Sequence, residues 1–146
     1  MKRATIFLFL CFVCLAACSS AGKTNNAEVD YGRSAKFSEV EIKSAVEAVL
    51  IKFKTFKGCE LTRLWYDEEK SDRMIQQDLS SGSGGNTIKN SGADPENIII
   101  LYSDFKTSKS SIDVGFDPDV TYSNWSWILI WENADEKWKV VDWGYS

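Results

Sequence analysis

The 146-residue chain is acidic, with 21 Asp and Glu against 17 Lys and Arg, and it contains no histidine. The missing imidazole excludes Ser–His–Asp and Cys–His catalytic sets, histidine proton shuttles and His-ligated zinc. The negative balance does not invite nucleic acid, whose binding depends on neutralising many phosphates, so nucleic acid is not an expected partner.

The chain begins with a short basic stretch, "MKR", followed by fourteen uncharged residues, "ATIFLFLCFVCLAA". A bilayer span needs about 20 apolar residues, so this run is too short to cross and has the length of a secretory signal instead. It closes on "LAAC" (Leu15, Ala16, Ala17, Cys18), which resembles the bacterial lipobox. That resemblance implies removal of residues 1–17 as a lipoprotein signal peptide and a diacylglycerol on the Cys18 sulfur. It makes Cys18 the lipidation site and the membrane a partner, with the protein held on the extracytoplasmic side of the cell membrane. Two acyl chains suffice for stable anchoring, where one is marginal.

Loss of Lys2 and Arg3 would leave 15 basic against 21 acidic residues, a net charge of −6. Cys11 and Cys14 would leave with the signal, so Cys59 is the only thiol of the domain and no internal disulfide is expected. With no histidine to activate it, Cys59 reads as a small buried hydrophobe. Residues 18–36, "CSSAGKTNNAEVDYGRSAK", are small and polar and read as a flexible tether. Residues 37–146 then have the length of a single domain.

"FSEVEIKSAVEAVLIKFKTFKG" (Phe37–Gly58) predicts an amphipathic helix of about five turns. Ser38 and Glu41 form a capping box, Phe37 and Ile42 a hydrophobic staple. Ile42, Ala45, Val46, Val49, Leu50 and Phe53 make one apolar stripe, and Gly58 suits the C-terminal cap. "CELTRLWYD" (Cys59–Asp67) reads as a strand and "SDRMIQQDL" (Ser71–Leu79) as a short helix. The Gly/Ser-rich stretch Ser80–Pro95 reads as a loop whose length points to function or disorder. "ENIIILYSDF" (Glu96–Phe105) is a strand apolar on both faces, and Lys106–Val120 is a polar loop. Within it "DVGFDPD" (Asp113–Asp119) lacks the spacing of an EF-hand and reads as a solvated acidic turn, so no metal and no cofactor is expected. "TYSNWSWILIWENADEKWKVVDWGYS" reads as a β-hairpin turning at "ENADEK". The order gives an α+β fold of two layers, a long N-terminal helix across an antiparallel sheet of about four strands.

Pairing Glu132 with Lys137 sets Trp131 opposite Trp138, Leu129 opposite Val140 and Trp127 opposite Asp142. The turn end of the hairpin is then apolar like a core. The far end mixes Trp125, Trp127, Asp142, Trp143 and Tyr145, the blend of apolar wall and polar head from which small-molecule pockets are made. Tyr66, Trp125, Trp127, Asp142 and Trp143 are the candidate ligand-binding residues, to be set against a purely structural role in which Asp142 accepts from the Trp127 indole.

The blocks "GC-L--L-YDEE" and "W-WIL…W-VVDWGY", with the helix that precedes them, resemble an uncharacterised family of secreted bacterial lipoproteins frequent in Gram-positive gut bacteria. More distantly, helix and hairpin resemble the nuclear-transport-factor-2-like (cystatin-like) cone, whose curved sheet wraps a long helix and leaves a pocket at its open end. That likeness implies a fold and no single activity. Enzymes on such cones pair an aspartate with a histidine, absent here, or with a tyrosine. The second option makes Asp104, Asp142 and Tyr102 the candidate catalytic residues, with Tyr66 nearby. Three functions follow: a lipid-anchored binding domain for an unknown small molecule, which leads; an isomerase- or dehydratase-type enzyme; or an envelope protein–protein interaction module.

Overall fold

A computed structural model describes residues 21–82 and 86–145. The stretch expected to be a signal peptide and the expected lipidation site Cys18 lie outside the described residues, as do three residues of the Gly/Ser-rich loop. The fold is α+β: strand β1 (Glu28–Asp30), helix α1 (Glu39–Phe53), strand β2 (Cys59–Tyr66), helices α2 (Glu68–Ser80) and α3 (Thr87–Ser91), then strands β3 (Ile98–Thr107), β4 (Thr121–Glu132) and β5 (Lys137–Tyr145). The strands lie in the order β1-β2-β3-β4-β5. All neighbours are antiparallel except β1, which runs parallel to β2.

Three expectations change. The sheet is mixed and five-stranded, because the supposed tether contributes a strand. Ala27, Val29 and Tyr31 alternate along it and pack on the core, a period of two hidden among polar neighbours. Ahead of them, Gly22 donates to Lys54 O at 3.0 Å, Lys23 donates to Cys59 O at 2.9 Å, and Leu61 donates back to Lys23 O at 2.9 Å. From Gly22 onward the segment therefore belongs to the domain.

The helix α1 is shorter than expected, 15 residues or about four turns. Its start is as expected: Ser38 caps Glu41 N, and the Glu41 carboxylate accepts from Ser38 N. Its end comes early because the chain turns at Thr55–Lys57 to drive Phe56 into the core, where it is 4% exposed. Gly58 belongs to this turn, with φ +73°; a Cβ there would lie 2.4 Å from Ser110 Oγ and 2.6 Å from Ser111 N. Only glycine satisfies both the backbone angle and the close approach.

Helices cover both faces of the sheet, so there are three layers. On one face α1 buries Ile42, Ala45, Val46, Val49 and Phe53 against Leu61, Leu101, Phe105, Trp127 and Leu129. On the other, Ile75 of α2 and Ile88 of α3 pack on Ile98, Ile100, Tyr102 and Ile128. The strand β3, apolar on both faces, supplies alternate residues to each cluster, as a central buried strand must.

Candidate functional site

The tryptophan hairpin divides the candidates. Its turn end has the expected register: Glu132 opposite Lys137, Trp131 opposite Trp138 and Leu129 opposite Val140. An irregularity between Ile128 and Leu129 then shifts the pairing by one residue, so Trp127 lies opposite Trp143 and Asp142 opposite Ile128. A one-residue slip sends each side chain to the other face. Asp142 consequently leaves the tryptophans for the α2–α3 face, where Thr87 Oγ1 donates to its carboxylate at 2.5 Å.

Trp125 and Trp127 form no exposed platform. They are 9% and 0% exposed. The Trp127 indole nitrogen donates to Ser103 Oγ at 2.8 Å, not to Asp142, and its ring lies 5.1 Å from that of Phe56. Trp125 is enclosed by Phe105, Phe116, Tyr122 and Tyr145, and its indole nitrogen meets no acceptor. Trp143 is partly exposed, under the ammonium of Lys52 at 4.1 Å. Tyr66 sits on the α1 face with its ring edge-on to Phe37. Burial pushes its hydroxyl up to about 12. Cys59 is buried and its thiol is pushed up to about 11 by desolvation, the behaviour of an inert core residue.

The catalytic candidates gather only in part. Tyr102, Asp104 and Asp142 share the α2–α3 face, whereas Tyr66 is paired in register with Leu101 and faces α1. The Tyr102 hydroxyl donates to Lys70 O at 3.2 Å, and burial raises its pKa. One Asp104 oxygen accepts from Asn124 N at 2.9 Å. Both groups already serve structural partners.

A cleft of about 510 Å³ opens beside them, lined by Lys70, Arg73, Met74 and Gln77 of α2 together with Asn86 and Tyr102. Asp67 caps α2 by accepting from Lys70 N at 3.0 Å. That cap sets the phase of the helix, so positions 70, 73, 74 and 77 form one stripe along the sheet. The Lys70 ammonium lies 3.7 Å from the Tyr102 ring centroid and donates to Asn124 Oδ1 at 2.9 Å. Desolvation lowers its pKa, against the opposing pull of Asp67 and Asp104. Ion pairs among the described residues involve Lys43, Arg73, Lys137 and Lys139, and none involves Lys70.

Asn124 holds its amide in place through an uncommon backbone, φ +57°, at the register irregularity of β3 and β4 near Ser103 and Phe105. Asparagine tolerates this conformation better than most residues, and bulges commonly re-aim a side chain. Sequence reading singled out none of Lys70, Arg73 and Gln77, and reached Asn124 only as the start of the Asn124–Trp127 stretch. The usable signal was the Asp67 cap followed by a polar stripe at i, i+3, i+4 and i+7.

The site is thus a half-open cleft with Tyr102 as its floor, Asp78 on its wall, and a fixed cation that makes no ion pair among the described residues, although Asp67 and Asp104 act on it from further off. Compared with known proteins, the chain matches no family model, no curated protein and no solved structure.

Proposed function

We propose that this chain is a lipid-anchored extracytoplasmic binding domain whose cleft between α2 and the sheet holds a small anionic molecule. One observation carries the reading: Lys70 is partly desolvated and fixed between Tyr102 and Asn124, yet has no ion-pair partner among the described residues. A cation withdrawn from water is costly unless an anion joins it, and a carboxylate or phosphate seated in the cleft supplies one. Arg73, Gln77 and Asn86 offer further donors on the wall.

The resemblance to secreted bacterial lipoproteins and the "LAAC" motif support the anchor and the location. The nuclear-transport-factor-2-like cone is proposed only as an arrangement, supported by α1 lying along a sheet whose β2 to β5 are antiparallel. Its interior is packed with aromatic rings, so the ligand belongs on the opposite face. The commitment of Tyr102 and Asp104 to backbone partners favours binding over an aspartate–tyrosine catalytic pair.

A thermal-shift screen of small carboxylates and phosphate monoesters tests the cleft. Members of that panel are expected to raise the Tm of the wild type but not of Lys70→Met; a wild type stabilised by none of them at millimolar concentration would refute the reading. For the anchor, Cys18→Ser is expected to release the protein from membranes, and unchanged membrane association would refute it.

A further inference from the structure

We infer that the α1 C-terminal end of the domain is a membrane-contact face that sits directly on anionic phospholipid headgroups. The inference rests on the Cys18 anchor proposed above and adds an orientation and a surface to it. Gly22 is fixed in the fold by its hydrogen bond to Lys54 O, so only Ser19, Ser20 and Ala21 separate it from Cys18. Four residue steps reach at most about 14 Å when fully extended. A diacylglycerol in the bilayer therefore leaves no room for the domain to stand off or turn over.

What lies around Gly22 suits that position. A Cβ on Gly22 would lie 2.1 Å from Phe53 O and 3.0 Å from Phe56 O, so the segment is pressed against the α1–β2 turn. Exposed Lys23, Lys54, Lys57 and Lys109 come from the N-terminal segment, the end of α1, that turn and the β3–β4 connection, which packs on Gly58 through Ser110 and Ser111. The Phe56 ring lies 6.2 Å from Trp143, which brings the edge of β5 into the same end. Six large apolar side chains are exposed among the described residues, and four of them, Ile112, Val120, Trp143 and Tyr145, belong to this end. Lysine together with amphipathic Trp and Tyr is the composition that partitions to a headgroup region.

Acidic groups are present too. Glu60 is in register with Lys106, and Asp113, Asp117 and Asp119 lie on the β3–β4 connection. Contact is accordingly made through the side bearing Gly22 and the four lysines. The rest of a chain whose mature charge would be −6 is repelled by an anionic bilayer, which reinforces the same orientation.

The test uses the full-length protein, purified from membranes and reconstituted into vesicles of phosphatidylcholine with 30% phosphatidylglycerol, both brominated in the acyl chains near the headgroup. Subtracting Trp143→Phe isolates the signal of Trp143; subtracting Trp131→Phe isolates Trp131, at the opposite end of the sheet. Lipid quenching is expected for Trp143 and not for Trp131, and should fall at least twofold in the variant Lys23→Gln/Lys54→Gln/Lys57→Gln/Lys109→Gln or in 0.5 M salt. Equal or greater quenching of Trp131, or none of Trp143, would overturn the seating. Metabolic labelling with an alkynyl fatty acid separates the two proposals: no label on Cys18 overturns the anchor and the seating with it, whereas label without Trp143 quenching overturns the seating alone.

Discussion

The two faces of the sheet solve different problems. The α1 face is dry and aromatic: Phe53, Phe56, Phe105, Trp125 and Trp127 meet mostly edge-on or tilted, the arrangement that ring quadrupoles favour. Its polar atoms are few, and the deepest one, the Trp127 indole nitrogen, has a dedicated acceptor. The α2 face is built from smaller aliphatic side chains and stops short of the sheet end. There Lys70 faces a half-open cleft and is linked through Asn124 to Asp104. The first face stabilises the fold; the second carries a lysine that makes no ion pair among the described residues. Large aromatic side chains concentrated in a sequence thus point to the scaffold in this protein, and the proposed binding cleft lies behind them.

The difference is sharpest in stability. Trp127→Ala removes a fully buried indole from the centre of the α1 face, and should cost about 3–5 kcal/mol. Urea unfolding should show a much lower midpoint with an unchanged slope. A loss under 1 kcal/mol would mean that the aromatic face is not the main core. The same face should also show its dryness through pH. The folded-state pKa of Cys59, about 11, stands above its ordinary value of 9.0, so above pH 9 the unfolded chain releases a proton that the folded chain keeps. Stability falls from pH 9 to 11 at about 1.4 kcal/mol per pH unit from this group alone. The gap between wild type and Cys59→Ala should therefore close by about 2–3 kcal/mol over that range. A gap independent of pH would show that the thiol is hydrated.

Much of the α1 face was legible in the sequence. The Ser38–Glu41 box and the apolar stripe placed α1, "IIILY" announced a strand buried on both sides, and the Glu132–Lys137 pairing gave the turn end of the hairpin. The site was not legible, for two physical reasons. The hairpin irregularity past Ile128 inverts the facing of Asp142 and Trp143, and nothing in a Val-Val-Asp stretch marks a one-residue slip. The cleft is made by side chains from α2, Asn86 and Tyr102 of β3, and its lysine is held by Asn124 from more than fifty residues away. The β1 strand escaped because three apolar residues alternating among polar ones resemble a linker until a neighbouring edge is available.

A smaller effect tests how the dry face tolerates polarity. Ser103→Ala strips the acceptor from the Trp127 indole nitrogen while leaving the packing almost intact, and a buried donor left unpaired costs about 1–2 kcal/mol. Trp125 already carries such an unpaired nitrogen, so Trp125→Phe should cost less than its lost ring area implies. If Ser103→Ala is neutral by urea titration, a water has replaced the hydroxyl and the α1 face is less dry than its aromatic packing indicates.

The smallest change in stability is the most informative about the cleft. Asn124→Asp preserves shape and keeps a residue type that accepts a positive φ, but it replaces the neutral oxygen 2.9 Å from Lys70 Nζ with a carboxylate. If Lys70 lacks only an anion, the substitution provides one from within the chain. Asn124 is exposed and Lys70 only partly covered, so solvent screening limits the gain to about 0.2–1 kcal/mol, offset in part by the neighbouring Asp104 carboxylate. The larger consequence is for ligands. With Lys70 neutralised internally, small carboxylates and phosphates that stabilise the wild type should no longer raise the Tm of Asn124→Asp, although the cleft keeps its volume and its Tyr102 floor. A variant that still responds like the wild type would show that the anion is held by Arg73 and the outer wall, and Lys70 would then belong to the scaffold after all.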